Sequence, residues 1–246
     1  MKKNTTTTTT VTAATATTAT AANTALTRAV ARPAARALVL TVALALGVAF
    51  SSWSSGTALA DGSAGAPLAI GTKAPAPATQ VKMKSVDGKV LSIAQAAGKA
   101  GTLVVFTCNH CPFAKGWEQR IAELANGYSK KGVGVILINA NDPTKYEEDS
   151  YLEMQARSKK LGLTVPYVVD ETSQVARAFG ASVTPEAFLF DKSGKLVYHG
   201  AVDDNHREPA KVQKRYLHDA LDAVVAGKDP TVTESKGIGC GIKFRS

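Results

Sequence analysis

The sequence predicts an α/β domain: a mixed central sheet with helices on both faces and an N-terminal β-hairpin. Three observations carry that expectation. Short apolar, β-branched runs alternate with segments whose apolar residues recur at helical spacing, as strands and helices do when a sheet is covered on both sides. The last two predicted strands flank a turn signal, which adds an antiparallel pair to an otherwise parallel arrangement. The composition, 45% hydrophobic and 20% charged over 246 residues, is that of an ordinary globular chain and excludes collagen-like, wholly disordered and multi-span membrane classes.

In chain order, Lys82 to Ser92 alternates around Asp87-Gly88 and reads as the hairpin. Thr102 to Thr107 is a buried parallel strand, and from Trp117 the positions Ile121, Leu124 and Tyr128 mark an amphipathic helix whose apolar face, with Trp117 and Tyr128, belongs to the core. Val133 to Asn139 is a second buried strand, Glu147 to Lys160 a polar helix, and Gln174 to Phe179 a short helix stopped by Gly180. Phe188 to Phe190 and Lys195 to His199 flank the turn Asp191-Lys192-Ser193-Gly194. Val212, Tyr216, Leu217, Ala220, Leu221 and Val224 mark a closing amphipathic helix.

The first sixty residues read as an address. Residues 5–20 hold eleven threonines with no period that builds a core. After Arg28, Arg32 and Arg36 come fourteen uncharged apolar residues, Ala37 to Phe50, then Ala58-Leu59-Ala60. Those are the n-region, h-region and A-x-A site of a Sec-type secretory signal, with cleavage after Ala60. Fourteen apolar residues fall short of the roughly 20 that a membrane-spanning helix needs, so no stable span is expected after processing. The expected organisation is a signal over 1–60, a linker over 61–80, a domain over 81–229 and a Gly-rich tail over 230–246 that carries Cys240. Five of the 29 basic residues and none of the acidic ones lie in residues 1–60, so most of the +9 net charge leaves with the signal. The rest shows no basic helix or aromatic-interleaved stripe, which excludes a nucleic-acid partner.

Chemistry is concentrated in Phe106-Thr107-Cys108-Asn109-His110-Cys111-Pro112-Phe113. This C-x-x-C follows a predicted strand and precedes a predicted helix, and unpaired N–H groups at a helix start stabilise a thiolate. Cys108 is the expected nucleophile, with a lowered pKa. Cys111, about one turn on, is placed to resolve a mixed disulfide, and His110 would lower the Cys108 pKa further by charge or hydrogen bonding. A c-type haem needs His after the second cysteine, where Pro112 stands; structural zinc needs a second ligand pair, which the chain lacks. A structural disulfide more often joins distant elements than a four-residue loop.

The motif, Thr184-Pro185-Glu186-Ala187-Phe188-Leu189-Phe190-Asp191, Gly200-Ala201-Val202-Asp203-Asp204-Asn205 and the tail Gly239-Cys240-Gly241-Ile242-Lys243 resemble exported thioredoxin-like proteins of the redoxin (alkyl hydroperoxide reductase/thiol-specific antioxidant) superfamily. The resemblance implies a thioredoxin-like fold, Pro185 as a cis-proline opposite the dithiol, and Thr184 as the residue whose backbone pairs with a substrate chain. It also implies thiol–disulfide oxidoreductase activity without cofactor or metal, in the periplasm, on protein or small-molecule disulfides and thiols, with a thiol–disulfide electron partner. The alternatives are a thiol peroxidase, with Cys108 oxidised to a sulfenic acid and Cys111 resolving, and a copper-binding metallochaperone in which His199 and His206 join the sulfurs. Three positions depart from relatives' patterns: Val183 replaces a cysteine often found before the Thr-Pro pair, the peroxidatic P-x-x-x-T-x-x-C spacing is absent, and Thr102 stands where thioredoxins keep a buried carboxylate. Glu186 and Asp203 are then the candidate proton acceptors for Cys111. Cys240 makes the cysteine count odd and is a candidate third redox thiol; Gly237, Gly239 and Gly241 leave its backbone free to approach the site.

Overall fold

A computed structural model describes residues 65–245; the Thr-rich run, the apolar stretch and the Ala58-Leu59-Ala60 site lie outside the described residues. In order come helix α1 (Ala76–Gln80), strands β1 (Met83–Ser85) and β2 (Val90–Leu91), helix α2 (Ile93–Ala96), strand β3 (Gly101–Phe106), helix α3 (Pro112–Ser129), strand β4 (Val133–Asn139), helix α4 (Tyr151–Leu161), strand β5 (Tyr167–Val169), helix α5 (Gln174–Phe179), strands β6 (Val183–Thr184), β7 (Glu186–Asp191) and β8 (Leu196–Gly200), helix α6 (Tyr216–Val225) and strand β9 (Cys240–Gly241). Seven strands form one sheet in the order β2-β1-β5-β4-β3-β7-β8, and β6 pairs with β9 beside it. The centre, β3-β4-β5, is parallel, while β1, β7 and β8 join antiparallel. This is the mixed α/β sheet expected, and β1 and β2 pair as the hairpin around Asp87-Gly88.

Both faces of the sheet are dry, which is why its central strands are apolar without alternation. Leu103 and Val105 of β3 and Val135 and Leu137 of β4 pack with Trp117, Ile121 and Tyr128 of α3 and with Leu217, Leu221 and Val224 of α6. Val104, Phe106, Ile136 and Ile138 point the other way, onto Ile93, Val175 and Phe179. There Phe106, Phe179 and Phe188 meet edge to face, with centroids 5.5–5.7 Å apart, an arrangement that adds to the burial itself.

Four of the differences from the sequence reading have a local reason. The helix expected from Trp117 begins five residues earlier at Pro112, where a proline suits the first helical position. The helix expected over 147–160 is divided: Glu147–Asp149 is a 3₁₀ turn, and extended Ser150 accepts a hydrogen bond from the Glu153 N–H to cap α4. Val212 lies outside α6, following a 3₁₀ turn at Pro209–Lys211. The expected linker also contributes structure from Leu68 onward. Leu68 and Ile70 pack on the second core, and at the β8 edge the Leu196 N–H donates to the Thr72 carbonyl while the Leu196 carbonyl accepts from the Gly71 N–H, both at 2.8 Å.

Candidate active site

Strand β3 delivers the chain to Thr107, whose N–H still pairs with the Ile138 carbonyl at 2.9 Å, and the next four residues are Cys108-Asn109-His110-Cys111. The N-cap of α3 is Cys111, not Cys108. The start of the helix therefore lies at the second cysteine of the motif rather than at the first.

Both sulfurs are sheltered, Cys108 at 5% exposure and Cys111 at 0%, and one residue binds the two. The Cys108 Sγ lies 3.0 Å from the Thr184 hydroxyl, and the Cys111 Sγ lies 3.2 Å from the Thr184 carbonyl, to which it donates when protonated. The Thr184–Pro185 peptide is cis. The two thiols act on each other's ionisation, so the pair gives up its first proton readily and the second with difficulty. The charge settles on Cys111. Hydrogen bonds from the Cys108 thiol, the Cys240 thiol and the Ala114 and Cys240 N–H groups outweigh burial and hold its pKa at about 4. Cys108 is pushed well up by its bond with Cys111, by burial and by the Asp149 charge. Cys240 is pushed up to about 11 by burial and by its proximity to Cys111.

The two middle residues of the motif are held by Asp149, which the sequence reading missed. Its Oδ1 accepts from the Asn109 N–H at 2.6 Å and from Asn139 Nδ2 at 3.2 Å. Its Oδ2 accepts from Asn141 Nδ2 at 2.9 Å and faces His110 Nδ1 at 2.6 Å. His110 is thus neither solvated nor bonded to Cys108. Its ring is clamped between Asp149 and Tyr146, which stacks on it at 3.9 Å. In sequence, Asp149 is one of three acids ahead of a helix, a pattern that reads as ordinary first-turn charge; only the 3₁₀ turn aims it inward.

The other candidates are committed elsewhere. Glu186 accepts from the Ser182 and Val183 N–H groups at 2.7 and 3.2 Å and pairs with His199 at 2.8 Å. Asp203 accepts from Trp117 Nε1 at 2.7 Å and binds Arg120 and the Asn205 N–H. Neither carboxylate hydrogen-bonds to a sulfur. His206 packs on Phe113 at 4.5 Å. Among the described residues, the potential metal ligands that converge are Cys108, His110 and Asp149, within 4.8 Å of one another. Neither His199 nor His206 belongs to that group, and the His110 and Asp149 atoms are spent on each other.

The Redoxin family model matches residues 70–215, more than half of the chain. The chain belongs to the Redoxin family. Among curated relatives, the thiol–disulfide oxidoreductase ResA of Geobacillus thermodenitrificans is 28% identical over 129 residues, 52% of this chain and 67% of that one. The ResA of Halalkalibacterium halodurans is 26% identical over 115 residues, covering 47% and 61%. The chain thus spans about three fifths to two thirds of the length of these relatives. Among solved structures, a hypothetical protein from Sinorhizobium meliloti is 33% identical with a TM-score of 0.65, over 73% of this chain and 96% of that one. An uncharacterized conserved protein from Geobacillus kaustophilus is 37% identical with a TM-score of 0.66, over 72% and 93%. A thioredoxin-like protein in its oxidised form shares the fold at 18% identity, with a TM-score of 0.53 over 66% of this chain and all of that one.

Proposed function

We propose that this redoxin is a thiol–disulfide oxidoreductase that works through Cys108 and Cys111, with Cys108 forming the mixed disulfide with a client and Cys111 resolving it. The observation that carries this reading is the pair of sulfurs at the β3–α3 joint, both bound to Thr184. Cys108 is the less covered of the two. When an outside thiolate attacks Cys108 in the oxidised pair, Cys111 departs as a thiolate whose charge the Ala114 N–H stabilises, and a leaving thiol of lower pKa departs faster. In the reverse direction Cys111 attacks the mixed disulfide on Cys108, the S–S bond within the dithiol forms, and the client leaves as a thiol. His110 and Asp149 are positioning residues that hold the loop between the two sulfurs. Substrates are protein or small-molecule disulfides and thiols, with a second thiol–disulfide protein as electron partner. Support for export to the periplasm comes from residues 28–60 alone, through the Arg-rich, apolar and Ala-Leu-Ala succession.

The purified protein should catalyse reduction of insulin by dithiothreitol. Cys108→Ser should abolish turnover, and Cys111→Ser should accumulate a mixed disulfide with insulin chains. Wild-type turnover in both variants would overturn the reading. Rapid, stoichiometric oxidation of Cys108 by low-micromolar hydrogen peroxide would instead favour a peroxidase.

A further inference from the structure

Thr184, which binds both sulfurs, also carries the end of the chain. Strand β9 pairs antiparallel with β6, placing Cys240 opposite Thr184 and Gly241 opposite Val183. The Ile242 N–H donates to the Ser182 carbonyl at 2.9 Å, and the Lys243 N–H donates to the Asn141 side chain at 2.8 Å. Asn141 also binds Asp149, so the tail is tied at one end to the backbone under the sulfurs and at the other to the network behind them. The approach is close enough that a Cβ on Gly239 would overlap the Thr184 carbonyl, and only glycine fits there.

This placement has two chemical consequences. Cys240 packs against the cluster formed by Cys108, Cys111 and Ala114. It is also half-exposed, whereas the other two cysteines are buried. The edge of β6, where an extended chain would add as a strand to reach the dithiol, is already occupied by β9.

We propose that Cys240 is a tethered exchange partner of Cys111: in the oxidised protein it converts the Cys108–Cys111 disulfide into Cys111–Cys240, latching the C-terminal strand over the groove that a client would enter. The proposal rests on the exchange chemistry assigned to Cys108 and Cys111. The Cys240 sulfur, as thiolate, attacks Cys111 Sγ; the Cys108–Cys111 bond breaks as the Cys111–Cys240 bond forms, and the electron pair leaves on Cys108. The proton lost by Cys240 is made good at Cys108, beside the Thr184 hydroxyl. No net oxidation occurs, because a disulfide already present changes partners. Part of what raises the Cys240 pKa is the neighbouring Cys111 sulfur. In the Cys108–Cys111 disulfide that sulfur carries no charge, and its opposition to ionisation of Cys240 is gone. The reverse exchange releases the strand and reopens the groove.

The test uses the full chain. Wild-type protein is oxidised with diamide, quenched in acid, alkylated and digested, and its disulfides are mapped by mass spectrometry. Two intramolecular species are expected: Cys108–Cys111, and Cys111–Cys240 with alkylated Cys108. Cys108→Ser should shift the population to Cys111–Cys240. Gly239→Ala, whose methyl displaces the strand, should lose that species while keeping Cys108–Cys111. Full alkylation of Cys240 in both oxidised wild type and Cys108→Ser, or its linkage only between molecules, overturns the proposal. Insulin reduction by the same preparations separates the two readings. If turnover still depends on Cys108 and Cys111 while Cys240 never links, the latch falls and the exchange assignment stands. If Cys111–Cys240 forms but turnover survives both substitutions, the exchange assignment falls.

Discussion

Replacing Asp149 by asparagine should loosen the active-site loop and make Cys108 more acidic in one step. The substitution keeps the side chain's size and one acceptor oxygen, but it turns the other oxygen into an NH₂ group that faces Asn141 Nδ2 and His110 Nδ1. The imidazole can answer by changing tautomer; the Asn141 amide, with hydrogens toward hydrogens, cannot. One stranded buried donor costs about 1–3 kcal/mol. Loss of charge from the acceptor of the Asn109 N–H, at 2.6 Å, removes about 1 kcal/mol more. The expected destabilisation is about 2–4 kcal/mol, and about 2–4 °C per kcal/mol for a domain of this size makes the fall in Tm about 4–16 °C. The electrostatic effect is separate. Cys108 is pushed up first by its bond to Cys111, then by burial, then by the Asp149 charge, and the substitution removes only the last. Urea unfolding measures the first effect, and the pH dependence of Cys108 alkylation in the reduced protein, mapped by mass spectrometry, measures the second. An unfolding midpoint and an alkylation profile both equal to wild type would refute the role given to Asp149.

Thiolate ultraviolet absorbance of the reduced protein should show one thiolate forming far below the ordinary cysteine range of about 8.5, near the Cys111 value of about 4, with the second withheld until alkaline pH. Two thiols titrating together near the ordinary value would contradict the shared-proton arrangement. His110→Ala leaves the Asp149 carboxylate without its partner beside Cys108 and should move the second midpoint, that of Cys108, upward; an unchanged second midpoint would confine His110 to packing. Asp170 is buried, one of its carboxylate oxygens has no hydrogen-bond partner, and burial raises its pKa. The folded chain therefore holds this proton more tightly than the unfolded chain, and the group's contribution to stability declines as pH rises from the ordinary carboxylate range through the raised value. Asp170→Asn should remove that decline, so the urea midpoint of the variant relative to wild type should be higher at pH 7 than at pH 4; an equal difference at the two pH values would refute it.

The elements whose signal lies in neighbouring residues were legible in the sequence. Continuous apolar runs identify β3 and β4 because burial on both faces leaves no polar alternation, and Asp87-Gly88 identifies the first hairpin because its turn chemistry is local. The C-x-x-C at a strand-to-helix joint was visible for the same reason, whereas the role of the Thr184-Pro185 pair came from the resemblance to a family and not from its neighbours. What the sequence could not decide was which groups face one another across long separations. Cys108 and Cys111 both appeared close to a helix start; the start at Pro112 gives the capping position to Cys111, and it is Cys111 whose pKa is lowered, chiefly by its Cys108 neighbour. Glu186 and Asp203, eligible as proton acceptors by residue type, are spent on backbone N–H groups, His199, Trp117 and Arg120, whereas Asp149 enters the site through a one-turn 3₁₀ segment that helical periodicity does not register. The Gly-rich tail could be read only as a backbone free to approach the site. Its place as a strand on β6, with Cys240 opposite Thr184, is a pairing of residues 56 positions apart, set by the absence of a Cβ at Gly239 and by the position of the cis-proline loop, neither of which has a period or a neighbour-to-neighbour signature.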